Sequence, residues 1–144
     1  MIIINGEAIM SAITPPPPSA KNAQFSGTIG EHPFNTTEVK VEQLDDSIAF
    51  TAIHRDDGED SEEIYIKFPK TITTDEKILR LFGSKTESVW VQFKTVENPR
   101  AHQYVEGSLT LQKTSDHPYA VSGSVYAVTQ DPKLKLDVKF EVTV

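Results

Sequence analysis

The densest ligand chemistry in this sequence lies in Asp56-Asp57-Gly58-Glu59-Asp60-Ser61-Glu62-Glu63. A hard cation such as Ca²⁺ takes about six to eight oxygens, which a run of carboxylates could supply. EF-hand spacing is missing, because Gly58 stands where the second side-chain ligand belongs. The segment reads instead as a solvated hairpin loop with Asp57-Gly58 as its turn. Its carboxylates (Asp56, Asp57, Glu59, Asp60, Glu62 and Glu63) then form a surface for a basic protein partner.

Histidine offers a second kind of chemistry. Glu31-His32-Pro33-Phe34 and Asp116-His117-Pro118-Tyr119 repeat one order of acid, His, Pro and aromatic. His32 and His117 could ligate one metal ion if the two turns met within ~4 Å of it. The simpler reading has Pro fixing each turn while the aromatic drops onto the core, so no metal is assigned. His102, between Arg100 and Tyr104 in the loop from Thr95 to Gln103, is the best-placed general base. No nucleophile motif accompanies it. A Gly-x-Ser-x-Gly elbow is lacking, and Gly83-Ser84-Lys85-Thr86 has neither the upstream Gly nor the preceding strand of a phosphate loop. A hydrolase centred on His102 or on the His-Pro turns finds no further support. The chain is expected to be non-catalytic, with no cofactor.

Trp90, the single Trp, alternates with Val89 and Val91 and so falls on the polar face of its strand. With Tyr65 and Tyr104 at comparable outward positions it could form an aromatic platform for a glycan or a small ligand. The alternative is a covering layer that buries the indole. Asn35-Thr36-Thr37 is a glycosylation sequon that needs a secretory route. Pro15 to Pro18 contains the Pro-x-x-Pro spacing, for which composition favours a spacer.

Such residues need a fold to place them, and composition bounds which. A chain of 144 residues suits one domain with a core of its own. Without Cys it has neither a disulfide framework nor a thiolate site. Lys and Arg number 14 against 21 Asp and Glu, a net charge of −7 that disfavours nucleic acid and anionic membrane. No stretch reaches the ~20 apolar residues of a membrane-spanning helix. The apolar run after Met1 is cut at Asn5 and has no basic flank, so no secretory signal and a cytoplasmic location are expected. Charge is uneven along the chain. From Glu31 to Glu63 eleven carboxylates face two cations, a balance of −9, and the remainder is +2.

Pro15-Pro16-Pro17-Pro18 must run as polyproline II. Residues 1–22 are therefore expected to be a flexible arm and linker, with 23–144 as the domain. Ile2, Ile3 and Ile4 suit a strand added to a sheet edge of the same or another copy, so a protein partner or a homo-oligomer is the expected company. From Ala23 onward apolar and polar residues alternate with period two, most cleanly in Leu134 to Val144. One short helix over 74–82 is predicted by a Thr73–Glu76 capping box and a Gly83 stop. Phe25-Ser26-Gly27-Thr28-Ile29, Val105-Glu106-Gly107-Ser108-Leu109 and Val121-Ser122-Gly123-Ser124-Val125 share one pattern of apolar, any, Gly, Ser/Thr, apolar. Gly inside a strand marks a bulge, a bend, or close approach of another backbone or ring.

The stretch Phe25 to Phe34 resembles the opening of small bacterial β-sandwich domains of unassigned function, and Gly107 to Leu111 is similar to a later strand of such domains. The resemblance implies a fold and transfers no site. The expected class is an all-β, antiparallel sandwich of about eight strands with one short helix, the alternative being a small up-and-down, calycin-like barrel. The expected role is a protein-interaction or self-associating module with an acidic half, or else a ligand or glycan binder built on Trp90.

Overall fold

A computed structural model describes residues 18–55, 61–72, 74–75, 77–81, 89–97, 100, 102–103, 106–130 and 133–144, with the main chain alone at 77–81 and 102–103. The described residues form eleven strands: β1 (Asn22–Ile29), β2 (His32–Thr36), β3 (Val39–Gln43), β4 (Ser47–Arg55), β5 (Ser61–Pro69), β6 (Lys77–Leu81), β7 (Trp90–Lys94), β8 (His102–Gln103), β9 (Glu106–Asp116), β10 (Tyr119–Val128) and β11 (Lys135–Thr143). They divide into two antiparallel sheets. One runs β2-β1-β11-β10-β9-β6 and the other β3-β4-β5-β7-β8. Hydrogen bonding thus separates the strands into two layers, which replaces the single closed barrel held as the alternative.

Period-two patterning decides which face each strand buries. In β11 Leu136, Val138, Phe140 and Val142 are buried while Lys135, Asp137, Lys139 and Glu141 are exposed. In β5 Ile64, Ile66 and Phe68 are fully buried, with Tyr65 and Lys67 between them half-buried. Residues from both sheets make one core. Phe140 joins the layers: it stacks on Phe25 of its own sheet at 5.1 Å and meets Phe50 of the other edge-on at 6.5 Å. Phe50 in turn meets Phe68 at 5.5 Å. Each such ring is worth about 1.5–3 kcal/mol of burial, so the aromatic row anchors the register of both sheets.

The helix expected over 74–82 is not formed. Lys77–Leu81 is strand β6, paired antiparallel with β9 so that Leu79 stands opposite Leu109. Five residues with apolar side chains at Ile78, Leu79 and Leu81 fit either period, and a helix of two turns leaves most of its backbone groups unsatisfied. Pairing along the eleven-residue β9 supplies those partners instead. Thr73, Glu76 and Gly83, on which the helix expectation rested, lie outside the described residues. Among the described residues no helix is long and apolar enough to cross a membrane.

The arm and most of the tetraproline, residues 1–17, also lie outside the described residues. Pro18 is already part of the sheet framework. Val41 N–H donates to its carbonyl at 2.9 Å and Ala20 N–H donates to Val39 O at 2.8 Å, with Ser19 bridging Lys40. The main chain borders the β3 edge, then crosses to β1, where Lys21 N–H donates to Thr143 O at 2.9 Å. An edge is where a residue without an N–H costs a sheet nothing.

Candidate binding face

The central part of the outer face of the six-stranded sheet is built by β1, β9, β10 and β11. Antiparallel register lines up their outward residues in rows. Gln24, Glu141, Ser122 and Gln112 form one row; Ser26, Lys139, Ser124 and Thr110 the next; Thr28, Asp137, Tyr126 and Ser108 the third. Rows lie about 6.8 Å apart along a strand and neighbours within a row about 4.8 Å apart. Ser122, Ser124, Thr110 and Gln24 are half-buried, whereas Lys139, Glu141 and Gln112 are exposed. Short side chains therefore floor a trough and long ones rim it. Two depressions follow, of about 430 Å³ and about 250 Å³, sharing Gln24, Ser122 and Glu141.

The recurring Gly pattern explains how the floor is made. Gly123 faces inward between two outward serines. A Cβ there would come 2.1 Å from the Thr110 carbonyl oxygen and 2.9 Å from Phe140 Cζ. Close approach by a neighbouring strand's carbonyl recurs at Gly27 and Gly107. In each copy the Gly lies against another strand while the Ser or Thr after it (Thr28, Ser108, Ser124) turns outward onto the same face. The pattern announced close packing in the sequence. That its hydroxyls converge on one surface needed the pairing.

Chemically the face offers hydroxyls and amides that donate and accept, and along β11 the ammoniums of Lys135 and Lys139 alternate with the carboxylates of Asp137 and Glu141. Among the described residues no imidazole lines either depression. Tyr126, 44% exposed, supplies a single aromatic surface two residues along β10 from Ser124.

A second polar cluster, not singled out by sequence, lies where β2 of one sheet meets β4 of the other. It lines a depression of about 480 Å³ that includes Gln24, Asn35, Thr36, Glu38, Ile53 and Arg55. Arg55 donates to Glu38 through Nε at 2.9 Å and Nη2 at 3.0 Å. That hydrogen bond holds the Glu38 carboxyl below its ordinary value; burial opposes it, and the neighbouring charges of Arg55 and Lys40 add to the lowering. The Thr36 hydroxyl donates to Ile53 O at 2.6 Å, and His54 Nδ1 lies 2.9 Å from both the amide N and the carbonyl O of Asn35. The Phe34 and His54 rings pack at 5.4 Å. These contacts tie the edge of one sheet to the other, which is a positioning role. Period-two reading assigns faces within a strand and is blind to such links between sheets.

The residues singled out from sequence are placed as follows. Trp90 and Tyr65 share the outer face of the five-stranded sheet: Trp90 pairs with Lys67, and Tyr65 pairs with Gln92. Trp90 is buried, 6% exposed, and its Nε1–H donates to Gln92 Oε1 at 3.0 Å. The indole is therefore covered instead of open. Burial, and secondarily the charge of Glu42, pushes the Tyr65 phenol above its ordinary value. Tyr104 lies outside the described residues. So do Asp56, Asp57, Glu59 and Asp60. Glu62 is buried at 4% exposure and Glu63 forms an ion pair with Lys94 at 3.3 Å. His102 falls in β8 opposite Phe93.

The shared metal site at the His-Pro turns is overturned by topology. His32 pairs with Ile29, which pairs with Leu136 near the start of β11. His117 turns from β9 to β10 beside Ala120, which pairs with Thr143 at the end of β11. Seven residues of extended strand separate those levels, about 23 Å. Among the described residues no three His or carboxylate groups gather as a metal site. At the second turn Lys113 pairs with Asp116 at 2.6 Å. Tyr119 does drop back against the core, as the simpler reading expects, with its phenol pushed up by burial and by the charge of Asp116.

Compared with protein-family models, with curated proteins and with solved structures, the chain matches none.

Proposed function

We propose that this protein is a non-catalytic interaction module: a β-sandwich whose binding surface is the outer face of its six-stranded sheet. One observation carries it, the hydroxyl-floored trough that runs over β10 between exposed residues of β11 and β9. Large sheets that serve only as a wall need no such relief, and concave surfaces with a few convergent polar groups are where ligands bind. The partner surface first expected at residues 56–63 is narrower ground, because Glu62 is buried and Glu63 is already paired.

The test is site-specific crosslinking in the full chain. A photoreactive side chain at Ser124 should yield a discrete adduct that Ser122→Arg abolishes. The same group at Lys67, on the outer face of the other sheet, should not. Equal labelling from both positions, or adducts indifferent to Ser122→Arg, would overturn the proposal.

A further inference from the structure

We infer that this face takes an extended, uncharged, hydroxyl-rich chain: a neutral polysaccharide lying along β10, over Ser122 and Ser124, with one sugar ring against Tyr126. The inference rests on the proposal that this face is the binding surface, and it names the ligand class.

Shape comes first. The two depressions share Gln24, Ser122 and Glu141, so they adjoin along the strands and together run from Lys139 to Thr143 of β11. An extended chain fits them better than a compact ligand does. Hydrogen-bonding character comes second. Ser122, Ser124, Ser26 and Thr110 each donate and accept, and so does every sugar hydroxyl. The Gln24 amide and the carboxylate of Glu141 add oriented partners along the rim. Half-burial of Ser122, Ser124 and Thr110 raises the value of their hydrogen bonds, because water competes less well there than at an exposed residue such as Ser26.

Charge decides between ligand classes. Along β11 the outward charges read Lys135, Asp137, Lys139, Glu141, alternating in sign about 6.8 Å apart. A polyanion laid along the strand would meet two carboxylates, and a polycation would meet two ammoniums. An uncharged chain meets neither penalty, and its hydroxyls can donate to the acids and accept from the ammoniums. A protein partner is disfavoured on different grounds. Stable protein interfaces centre on several apolar or aromatic anchors surrounded by a polar rim. Here the trough itself is polar, and among the described residues Tyr126 is the one large hydrophobic side chain exposed on this face. One aromatic at the end of a polar trough suits the C–H face of a pyranose ring.

The experiment is an NMR titration of the isotope-labelled full chain with soluble hexasaccharides of glucose, xylose, mannose and N-acetylglucosamine. A heparin-derived hexasaccharide serves as the polyanion comparison. At least one neutral oligosaccharide should shift the amides of Ser122, Ser124 and Tyr126 saturably, while the heparin fragment leaves them unmoved. Tyr126→Ala should weaken that binding about tenfold with an unchanged thermal midpoint, and Tyr126→Phe should retain it. The inference is overturned if no neutral sugar shifts these amides at millimolar concentration, if heparin alone does, or if Tyr126→Ala binds like the parent. Crosslinking of a protein through Ser124 when every sugar fails would sink the glycan class and leave the binding face standing. Failure of both experiments would remove the face as well.

Discussion

Gly123→Ala should destabilise the fold more than its single methyl suggests. Gly123 pairs with Leu111 on one side and Phe140 on the other, in the middle of the six-stranded sheet. The new Cβ would sit 2.1 Å from the Thr110 carbonyl oxygen, which belongs to a paired backbone and cannot swing aside. Its second contact, Phe140 Cζ at 2.9 Å, is a ring that can tilt. Adding a methyl to a well-packed interior costs about 1–3 kcal/mol, and a backbone clash belongs at the upper end of that range, about 3 kcal/mol. For a domain of this size roughly 4 °C is lost per kcal/mol, so a midpoint drop of about 12 °C is expected. The assay is thermal and urea unfolding of Gly123→Ala, Phe140→Leu and the double variant. If the carbonyl dominates, Phe140→Leu will not rescue Gly123→Ala, and the two losses will add. Refutation is a Gly123→Ala protein within about 0.5 kcal/mol of the parent, or one restored by Phe140→Leu. The second result would place the constraint in the ring and leave the β9–β10 spacing free.

Three further outcomes test other parts of the structure. Among the described residues the buried Tyr119 hydroxyl has no hydrogen-bond partner, so Tyr119→Phe should be neutral or stabilising by up to ~1 kcal/mol in urea unfolding; a clear loss would show a hidden partner. Glu38 titrates below its ordinary 4.5 because Arg55 binds the charged form. The stability this linkage gives is present above that value and lost as pH falls through the lower folded value. The small difference between parent and Glu38→Gln should therefore vanish in acid, and a gap that persists there would refute the assignment. Burial pushes the Tyr65 and Tyr119 phenols above 10.0. Their contribution to stability is intact below 10.0 and falls as pH rises through the folded values. Ultraviolet titration should resolve at least two late phenols, and replacing either with Phe should remove one; four simultaneous transitions would contradict the burial.

The strands of the core were legible residue by residue, because a strand with one buried face must alternate. Leu136, Val138, Phe140 and Val142 could be assigned inward from their spacing alone. So could Ile64, Ile66 and Phe68. The segment 77–81 was not legible, since five residues satisfy helix and strand periods alike and only the edge of β9 chooses between them. Trp90 shows a different limit. Its outward face was readable from alternation, but its cover was not, because burial depends on what chain elsewhere lies above it.

By itself, then, the sequence determined the class of fold, the inward face of each long strand, and the three glycines at which another strand or ring comes close. Those are local consequences of a two-residue period and a missing Cβ. Tertiary structure decided which strands are neighbours, and with that everything about the site. Pairing sent His32 and His117 to opposite ends of β11, and it buried Glu62. It also brought Ser26, Thr110, Ser122 and Ser124, drawn from three separate strands, onto one surface. Strand order and register are long-range quantities fixed by the summed packing of the core, and no window of sequence contains them.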